Sequence, residues 1–138
     1  MKLQTPVTLD TAPVSISYSD RILVLGSCFA EEIGSRLSAA GFKVLTNPFG
    51  TLYNPVSIGN AVARLGSGVP FTAEDVVEMG AGAGKFCSFW HHTSFARDTA
   101  EAFLENANRS LTEASAVWKD CNKVIVTLGT AWAFRFDE

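Results

Sequence analysis

The tripeptide Gly26-Ser27-Cys28 is the first place in the sequence where a side chain could act as a nucleophile. It directly follows an apolar run, and the glycine permits a sharp turn at that point. A helix that begins after the serine would offer backbone N–H groups without intrahelical partners. A serine in this position can attack a carbonyl carbon while its own N–H helps to bind the oxyanion. The same residues can equally form an ordinary turn and helix cap, so the tripeptide alone decides nothing.

Cysteine and histidine side chains allow further hypotheses. Cys28 would lie at the same helix N-terminus, which favours a reactive thiolate, although a free cysteine is also commonly a small buried hydrophobic residue. His91 and His92 follow an aromatic stretch, where a packed and hydrogen-bonded histidine is the more common situation. For His92 we predict a role in substrate binding. Cys87 and the two histidines are too few to close a metal site, and we predict no metal.

A glycine-rich segment at residues 80–84, followed by Lys85, has only a superficial likeness to a phosphate-binding loop. A Walker loop would need glycine in place of Met79 and serine or threonine in place of Phe86, and the dinucleotide fingerprint has a different glycine spacing. No buried strand is predicted directly before the segment. We therefore interpret it as a surface loop or lid and predict no cofactor.

Composition narrows the class of protein. The 138 residues are 47% hydrophobic and 18% charged, which is typical of one domain with a buried core. A net charge of −3 and a pI near 5.3 argue against nucleic acid as a partner. No run approaches the roughly 18 apolar residues of a membrane span, and the first residues lack the apolar stretch of a secretory signal. Three scattered cysteines suggest reduced thiols, so we predict a cytoplasmic protein without a membrane partner.

The apolar periodicity predicts strands that alternate with helices. Residues 22–25 and 124–128 are short apolar runs without alternation, as in strands buried on both faces of a sheet, and residues 42–45 and 86–90 also have strand character. Residues 1–19 are expected to form an extended lead-in, and residues 72–77 a short helical turn. Three longer helices are also predicted. The first is indicated by an apolar stripe of Phe29, Ile33, Leu37 and Ala40. The second would begin with an Asn54 cap before Pro55, and the third with a capping box of Asp98 and Glu101.

This alternation predicts an α/β fold, a three-layer α/β/α sandwich with a mainly parallel sheet, and a single domain over residues 1–138. Sites in such sheets lie at the carboxyl ends of the strands. Two segments are expected there, residues 26–28 after the first strand and residues 129–131 after the last. The sequence therefore predicts that Ser27 lies at the functional edge of the sheet.

Several blocks of the sequence resemble the GSCFA family, which is similar to the SGNH (GDSL-like) hydrolases. The family signature is matched by Gly26-Ser27-Cys28-Phe29-Ala30, and two later blocks follow in family order, Asn47-Pro48-Phe49-Gly50-Thr51-Leu52-Tyr53-Asn54-Pro55 and Thr127-Leu128-Gly129-Thr130-Ala131-Trp132. The resemblance implies a sandwich of the SGNH hydrolase or flavodoxin-like type. It also implies that Ser27 is the nucleophile of a serine hydrolase.

The resemblance further implies an oxyanion hole. Gly50 would match the glycine of the second SGNH block, whose N–H joins that of Ser27 in binding the oxyanion. The third block usually carries an asparagine donor, but Ala131 stands there in this sequence. Asn47, Asn54 or the Thr130 hydroxyl are candidates to replace it. Asn54 is also a candidate for substrate binding, and both asparagines have alternative roles in turns or helix caps.

A second departure concerns the general base. SGNH enzymes carry it in a late Asp-x-x-His block, which does not occur after Trp132 in this sequence. We therefore expect the chain to be the N-terminal part of a longer domain, incomplete at its C-terminus and by itself a poor catalyst. The implied activity is hydrolysis of a small-molecule ester, with O-acyl carbohydrates as one substrate class. An O-acyltransferase and a non-catalytic binding protein remain open, as does the oligomeric state.

Overall fold

The computed structural model describes residues 14–80 and 84–133 of the chain. Its elements are, in order, β1 (Arg21–Gly26), α1 (Cys28–Ala39), β2 (Lys43–Thr46), α2 (Pro55–Ser67), β3 (Val77–Glu78), β4 (Phe86–Cys87), α3 (Ala100–Asp120) and β5 (Lys123–Thr127). The strands β2, β1 and β5 form a parallel sheet in that order. A mixed α/β fold with a parallel sheet is therefore confirmed.

The central strand β1 is buried on both faces, which explains its apolar run without alternation. Ile22 and Val24 belong to a cluster with Ala30 of α1, whereas Leu23 and Leu25 belong to a larger core with residues of α2 and α3. None of these four β1 side chains is more than 1% exposed. Strand β1 thus fixes the position of Gly26 and Ser27 from both sides of the sheet.

The apolar stripe predicted for α1 is only partly correct, because Ile33 and Leu37 are partly buried but Phe29 and Ala40 are exposed. Phe29, its first member, is 61% exposed, and the helix buries Ala30 and Gly34 instead. A side chain at Gly34 would collide with the side chain of Thr46, so α1 lies unusually close to β2. Small residues, not large ones, make this contact, because close approach between a helix and a strand leaves no room for a longer side chain.

The predicted start of α2 is confirmed, and that of α3 is displaced by one residue. Asn54 caps α2 by accepting a hydrogen bond from the Ser57 N–H at 2.8 Å, and Pro55 is the first helical residue. Helix α3 is capped by Thr99, which accepts from the Ala102 N–H at 3.1 Å. The predicted Asp98 cap is wrong, because the Asp98 carboxylate pairs with Lys85.

The predicted aromatic strand at residues 86–90 is much shorter than expected. Only Phe86–Cys87 is strand, and it pairs antiparallel with the Val77–Glu78 segment, which we did not predict. The helical turn expected at residues 72–77 is present as a 3-10 helix at Ala73–Asp75. The predicted lead-in at residues 1–13 and the centre of the glycine-rich loop at residues 81–83 lie outside the described residues.

Strand β5 lies at one end of the sheet as far as the described residues extend. Val124 and Val126 remain 45% and 48% exposed, and the residues on the other face of β5 are only partly buried. This differs from the fully buried strand that its apolar run predicted. Among the helices of residues 14–80 and 84–133, none has the length and apolar character that crossing a membrane requires.

Candidate active site

Three sequence segments meet at the carboxyl edge of the sheet. The N–H of Asn47 donates to the carbonyl of Val24 at 2.9 Å, and the N–H of Leu52 donates to the carbonyl of Gly26 at 2.8 Å. These bonds tie the loop after β2 to the end of β1. The segment after β5 joins them, because the Gly129 N–H donates to the carbonyl of Tyr53 at 2.9 Å. The segments that follow β1 and β5 therefore meet at this edge of the sheet, as predicted.

Ser27 is the N-cap residue of α1 and lies between β1 and β5. Its side chain makes no capping hydrogen bond to the helix, so the hydroxyl is free for other contacts. The Oγ atom lies 3.1 Å from Oγ1 of Thr127, and the residue is only 6% exposed. Among the described residues, no histidine and no carboxylate hydrogen-bonds the Ser27 hydroxyl.

Asn47 has the most unusual conformation near the site. Its φ of 44° is left-handed, which is uncommon for a residue other than glycine. Its Oδ1 accepts a hydrogen bond from the Gly26 N–H at 2.9 Å. The Nδ2 atom of the same amide is buried and has no partner within the described part of the chain. A buried donor without an acceptor is costly, and a ligand would reach this one only after the surrounding side chains move.

The backbone N–H groups that were predicted as oxyanion donors already have internal acceptors. The Ser27 N–H points at the carbonyl and hydroxyl of Thr127, at 3.3 and 3.2 Å. The Gly50 N–H donates to the carbonyl of Asn47 at 2.8 Å, which closes a turn. The Thr130 hydroxyl accepts from the Trp132 N–H at 3.1 Å. In this state, the Asn47 side chain is the predicted amide donor without an acceptor in the described part of the chain.

The two predicted substrate-binding residues differ in their surroundings. Both polar atoms of the Asn54 side chain bond to Ser57, so Asn54 acts as a helix cap in this structure. His92 lies against Gly50, where an added Cβ would collide with that of His92. Its Nδ1 accepts from the Ser94 N–H at 3.3 Å and lies 3.1 Å from the Ser94 hydroxyl. His92 is therefore close to the Gly50 turn, as its predicted role requires.

A cavity of about 380 Å³ opens beside this turn, between α1, β2 and the loop that contains Gly50. Its lining is rich in hydroxyl groups and carries one carboxylate, that of Glu31. The residues that contribute to it include Ser35, Ser38, Thr46, Asn47, Thr51, His92 and Ser94. The cavity could hold the polar part of a small molecule next to the Asn47–Gly50 turn.

His91 has a structural environment, unlike its neighbour. Its ring is buried among aromatic side chains, with centroids 4.7 Å from those of Phe71 and Phe95. Burial lowers the pKa of His91 to about 4, helped by the positive charge of Arg64 and opposed by Asp75. The histidine therefore stays neutral at physiological pH. It is a packed, hydrogen-bonded residue, the alternative that the aromatic stretch favoured.

The cysteines are free thiols with different exposures. Cys28 is exposed at the start of α1, whereas Cys87 is buried and its thiol pKa is raised by that burial. A raised pKa disfavours the thiolate that metal binding and nucleophilic attack require. No group of three or more potential metal-ligating side chains occurs in the part of the chain that the structure describes.

Sequence reasoning missed Thr127 and Tyr53 as parts of the site. The sequence places Thr127 within an apolar strand and at the start of a family block, and Tyr53 within another block, and it gives neither residue a role in the site. Their contacts are made with residues distant in the chain, which periodicity does not reveal. The available signal was positional, because a polar residue that ends a buried parallel strand lies at the functional edge of the sheet.

A sequence comparison identifies the family. The model of the GSCFA family matches residues 21–138, and the chain therefore belongs to the GSCFA family. No curated protein and no solved structure has significant similarity to the chain.

Proposed function

We propose that this GSCFA-family chain carries the nucleophile of an SGNH-like serine esterase or acyl hydrolase. The corresponding fold would be a three-layer α/β/α sandwich of the SGNH hydrolase or flavodoxin-like type. Packing supports this, since α1 contacts one face of β1 while the core that includes α2 and α3 contacts the other. The family match by itself does not carry the activity, because one fold hosts many functions.

The observation that carries the proposal is the pairing of a hydroxyl with an unused donor. Ser27 lies at the end of β1, and the Asn47 amide is held against Gly26 with Nδ2 unpartnered. In the proposed reaction, Ser27 Oγ bonds to the ester carbonyl carbon and loses its proton to a base. Asn47 Nδ2 donates to the oxygen that becomes negative, the alcohol leaves, and water then cleaves the acyl-serine.

The base is the component that the described residues do not supply. The resemblance to SGNH hydrolases implies that an Asp-x-x-His segment provides it, and no such segment follows Trp132 in this sequence. We propose that the reaction depends on such a segment, since a serine without a base is a weak nucleophile. His91 is not a substitute, because its ring is enclosed by aromatic side chains.

The substrate that fits best is an uncharged, hydroxyl-rich ester, such as an O-acyl carbohydrate. The cavity next to Gly50 is lined by serine and threonine hydroxyls and by His92, which can exchange hydrogen bonds with substrate hydroxyls. The carboxylate of Glu31 in the same lining would repel an anionic substrate. We propose a cytoplasmic protein with free cysteines that acts on a small molecule, with neither nucleic acid nor a membrane as partner.

Two alternatives use the same residues. An O-acyltransferase would form the same acyl-serine and pass the acyl group to a second alcohol instead of water. A non-catalytic binding protein is favoured by one observation, the replacement of the usual third-block asparagine by Ala131. The Asn47 amide, which is attached to Gly26 and has an unpartnered Nδ2, is the side-chain donor that catalysis would use instead of that asparagine.

Labelling with a fluorophosphonate probe tests the proposal. The natural protein that carries this sequence would be incubated with the probe, together with its Ser27→Ala and Cys28→Ala variants. We expect labelling of the natural protein and of Cys28→Ala, and none of Ser27→Ala. Labelling lost only in Cys28→Ala would assign the nucleophile to the thiol. A folded natural protein that is never labelled would favour the binding protein.

A further inference from the structure

The end of β5 makes an unusually close contact with the nucleophile. The register of the sheet pairs Gly26 with Thr127, so Thr127 lies directly beside the start of the turn that carries Ser27. Its Oγ1 is 3.1 Å from Ser27 Oγ and 3.2 Å from the Ser27 backbone nitrogen. One threonine hydroxyl thus contacts both polar groups of the serine that point towards the sheet.

We propose that Thr127 is a positioning residue, which holds the Ser27 hydroxyl in its attacking orientation, and that Gly26 is required to admit it. This inference rests on the proposed function of Ser27 as a nucleophile. Thr127 opens one of the blocks that resemble the family, but the resemblance assigns no role to its side chain. The geometry of Gly26 and the hydrogen-bonding capacity of the two hydroxyls support it independently.

Gly26 leaves space that no other residue would leave. A Cβ at this position would collide with both the carbonyl oxygen and the hydroxyl of Thr127. Its φ of 142° also lies in a region that other residues rarely adopt. The glycine of the Gly-Ser-Cys signature therefore does more than allow a turn. It lets the polar atoms of Thr127 approach the chain where the nucleophile begins.

The hydrogen-bonding capacity of Thr127 indicates the direction of its contact with the nucleophile. A threonine hydroxyl has one proton to donate and two lone pairs that accept. Oγ1 accepts from the Ser27 N–H, and its proton is then available to Ser27 Oγ. In this arrangement the Thr127 proton fixes the orientation of Ser27 Oγ, and the Ser27 proton stays free for a base.

The surroundings keep Thr127 in place. The backbone after β5 is fixed by the N–H groups of Gly129 and Thr130, which both donate to the Tyr53 carbonyl, at 2.9 and 3.0 Å. Gly129 also packs against Ser27, since an added Cβ would lie 3.3 Å from the Ser27 Cβ. The orientation of the serine is thus determined from the β5 side and not by the helix that it caps.

The test measures the rate and the concentration dependence of fluorophosphonate labelling in the natural protein. Thr127→Val removes the hydroxyl at nearly constant shape, Thr127→Ser keeps it, and Thr127→Ala is the matched partner of Thr127→Ser. We expect Val and Ala to lower the inactivation rate constant about 10- to 100-fold, as misorientation of the attacking hydroxyl predicts. The concentration for half-maximal rate should stay unchanged, and Ser should recover most of the rate.

Several outcomes would overturn the inference. Wild-type labelling of Thr127→Val, or equal losses in Thr127→Ser and Thr127→Ala, would show that the hydroxyl does not position Ser27. If Thr127→Val does not fold, the comparison of Ser with Ala still isolates the hydroxyl. A wild-type protein that is not labelled at all overturns the proposed function and this inference together, which separates that failure from the first two.

Discussion

Asn47 and Gly26 are joined by a hydrogen bond of 2.9 Å between Oδ1 of the amide and the backbone N–H of the glycine. Because that N–H must have an acceptor, it is the oxygen of the amide that faces Gly26, and Nδ2 is directed elsewhere. The left-handed backbone of Asn47 positions this side chain, and Nδ2 has no partner within residues 14–80 and 84–133. A residue after β2 is thereby rigidly attached to the residue that precedes the nucleophile.

This attachment predicts the effect of Asn47→Asp on the chemistry. The substitution keeps the acceptor for Gly26 but replaces the Nδ2 donor with a second oxygen. We expect the fluorophosphonate labelling rate of the natural protein to fall about 10²- to 10³-fold, as for the loss of one oxyanion donor.

Asn54→Asp is the matched control. It keeps the oxygen that caps α2, and we expect labelling at close to the wild-type rate. Undiminished labelling of Asn47→Asp would mean that the Asn47 amide is not an oxyanion donor. Circular dichroism of both variants would verify that each retains the fold.

The sequence predicts those elements of the fold whose features are visible in a short stretch of neighbouring residues. Strand β1 was predicted well because burial on both faces requires a continuous apolar run, and α2 because a cap and a proline mark its start. The face of α1 was only partly predicted because Ala30 and Gly34, which pack against the sheet, are small. A search for large apolar side chains selects Phe29 instead, which is exposed.

In the candidate site, too, the features that depend on neighbouring residues could be predicted, and the contacts between distant residues could not. The position of Ser27 followed from the end of a buried strand, which is a local feature. The contacts of Ser27 with Thr127 and of Gly26 with Asn47 join residues 100 and 21 positions apart. Composition and periodicity carry no information on such pairs, because they depend on the register of the sheet. Only the hydrogen bonds of the structure show that the Asn47 amide has an N–H group without an acceptor among the described residues.

The close packing of α1 against β2 predicts opposite effects for two glycine-to-alanine substitutions in helices. Gly34→Ala would place a methyl group on the Thr46 side chain, and we expect it to lower the free energy of unfolding by about 1–3 kcal/mol. Gly59→Ala in α2 meets no atom within 4 Å, and should raise it by about 0.5–1 kcal/mol.

Urea denaturation followed by circular dichroism measures both values. The two variants remove the same backbone freedom from a helix, so the difference between them isolates the contact with Thr46. A stabilising Gly34→Ala would contradict the close approach of α1 and β2.

The buried His91 predicts a loss of stability in acid. Ser88 Oγ accepts from the Trp90 N–H and lies 2.7 Å from His91 Nδ1, which suits a neutral imidazole. The pKa of His91 is lowered to about 4, whereas an unfolded histidine titrates near about 6.5. Between these values the unfolded chain binds a proton that the folded chain does not. Stability is therefore complete above about pH 6.5 and falls by roughly 3 kcal/mol as the pH decreases to about 4.

Denaturation in urea at several pH values measures this slope. In His91→Phe the titrating group is absent and an aromatic ring fills the same space. We expect the decrease between about pH 6.5 and 4 to be much smaller in that variant. An unchanged slope in His91→Phe would assign the acid sensitivity to other groups.

The contacts of Arg64 predict that its replacement by lysine lowers the free energy of unfolding, whereas the same substitution at an exposed arginine has little effect. Its guanidinium lies 4.4 Å from the Phe71 ring centroid and 4.3 Å from that of Trp90, and it pairs with Asp75 at 2.9 Å. A lysine ammonium cannot stack on two rings and pair with a carboxylate in this way. We expect Arg64→Lys to lower the free energy of unfolding by roughly 1–3 kcal/mol.

Arg36 provides the comparison, because its pairing with Glu32 lies within one helix and both side chains are exposed. Arg36→Lys should change the free energy of unfolding by less than about 0.5 kcal/mol. Both variants would be measured by urea denaturation at neutral pH, where all the charges concerned are present. Equal effects in the two variants would mean that the aromatic sandwich around Arg64 adds nothing to the ordinary stability of an ion pair. A selective loss in Arg64→Lys would show that the guanidinium joins the end of α2 to the aromatic core that encloses His91.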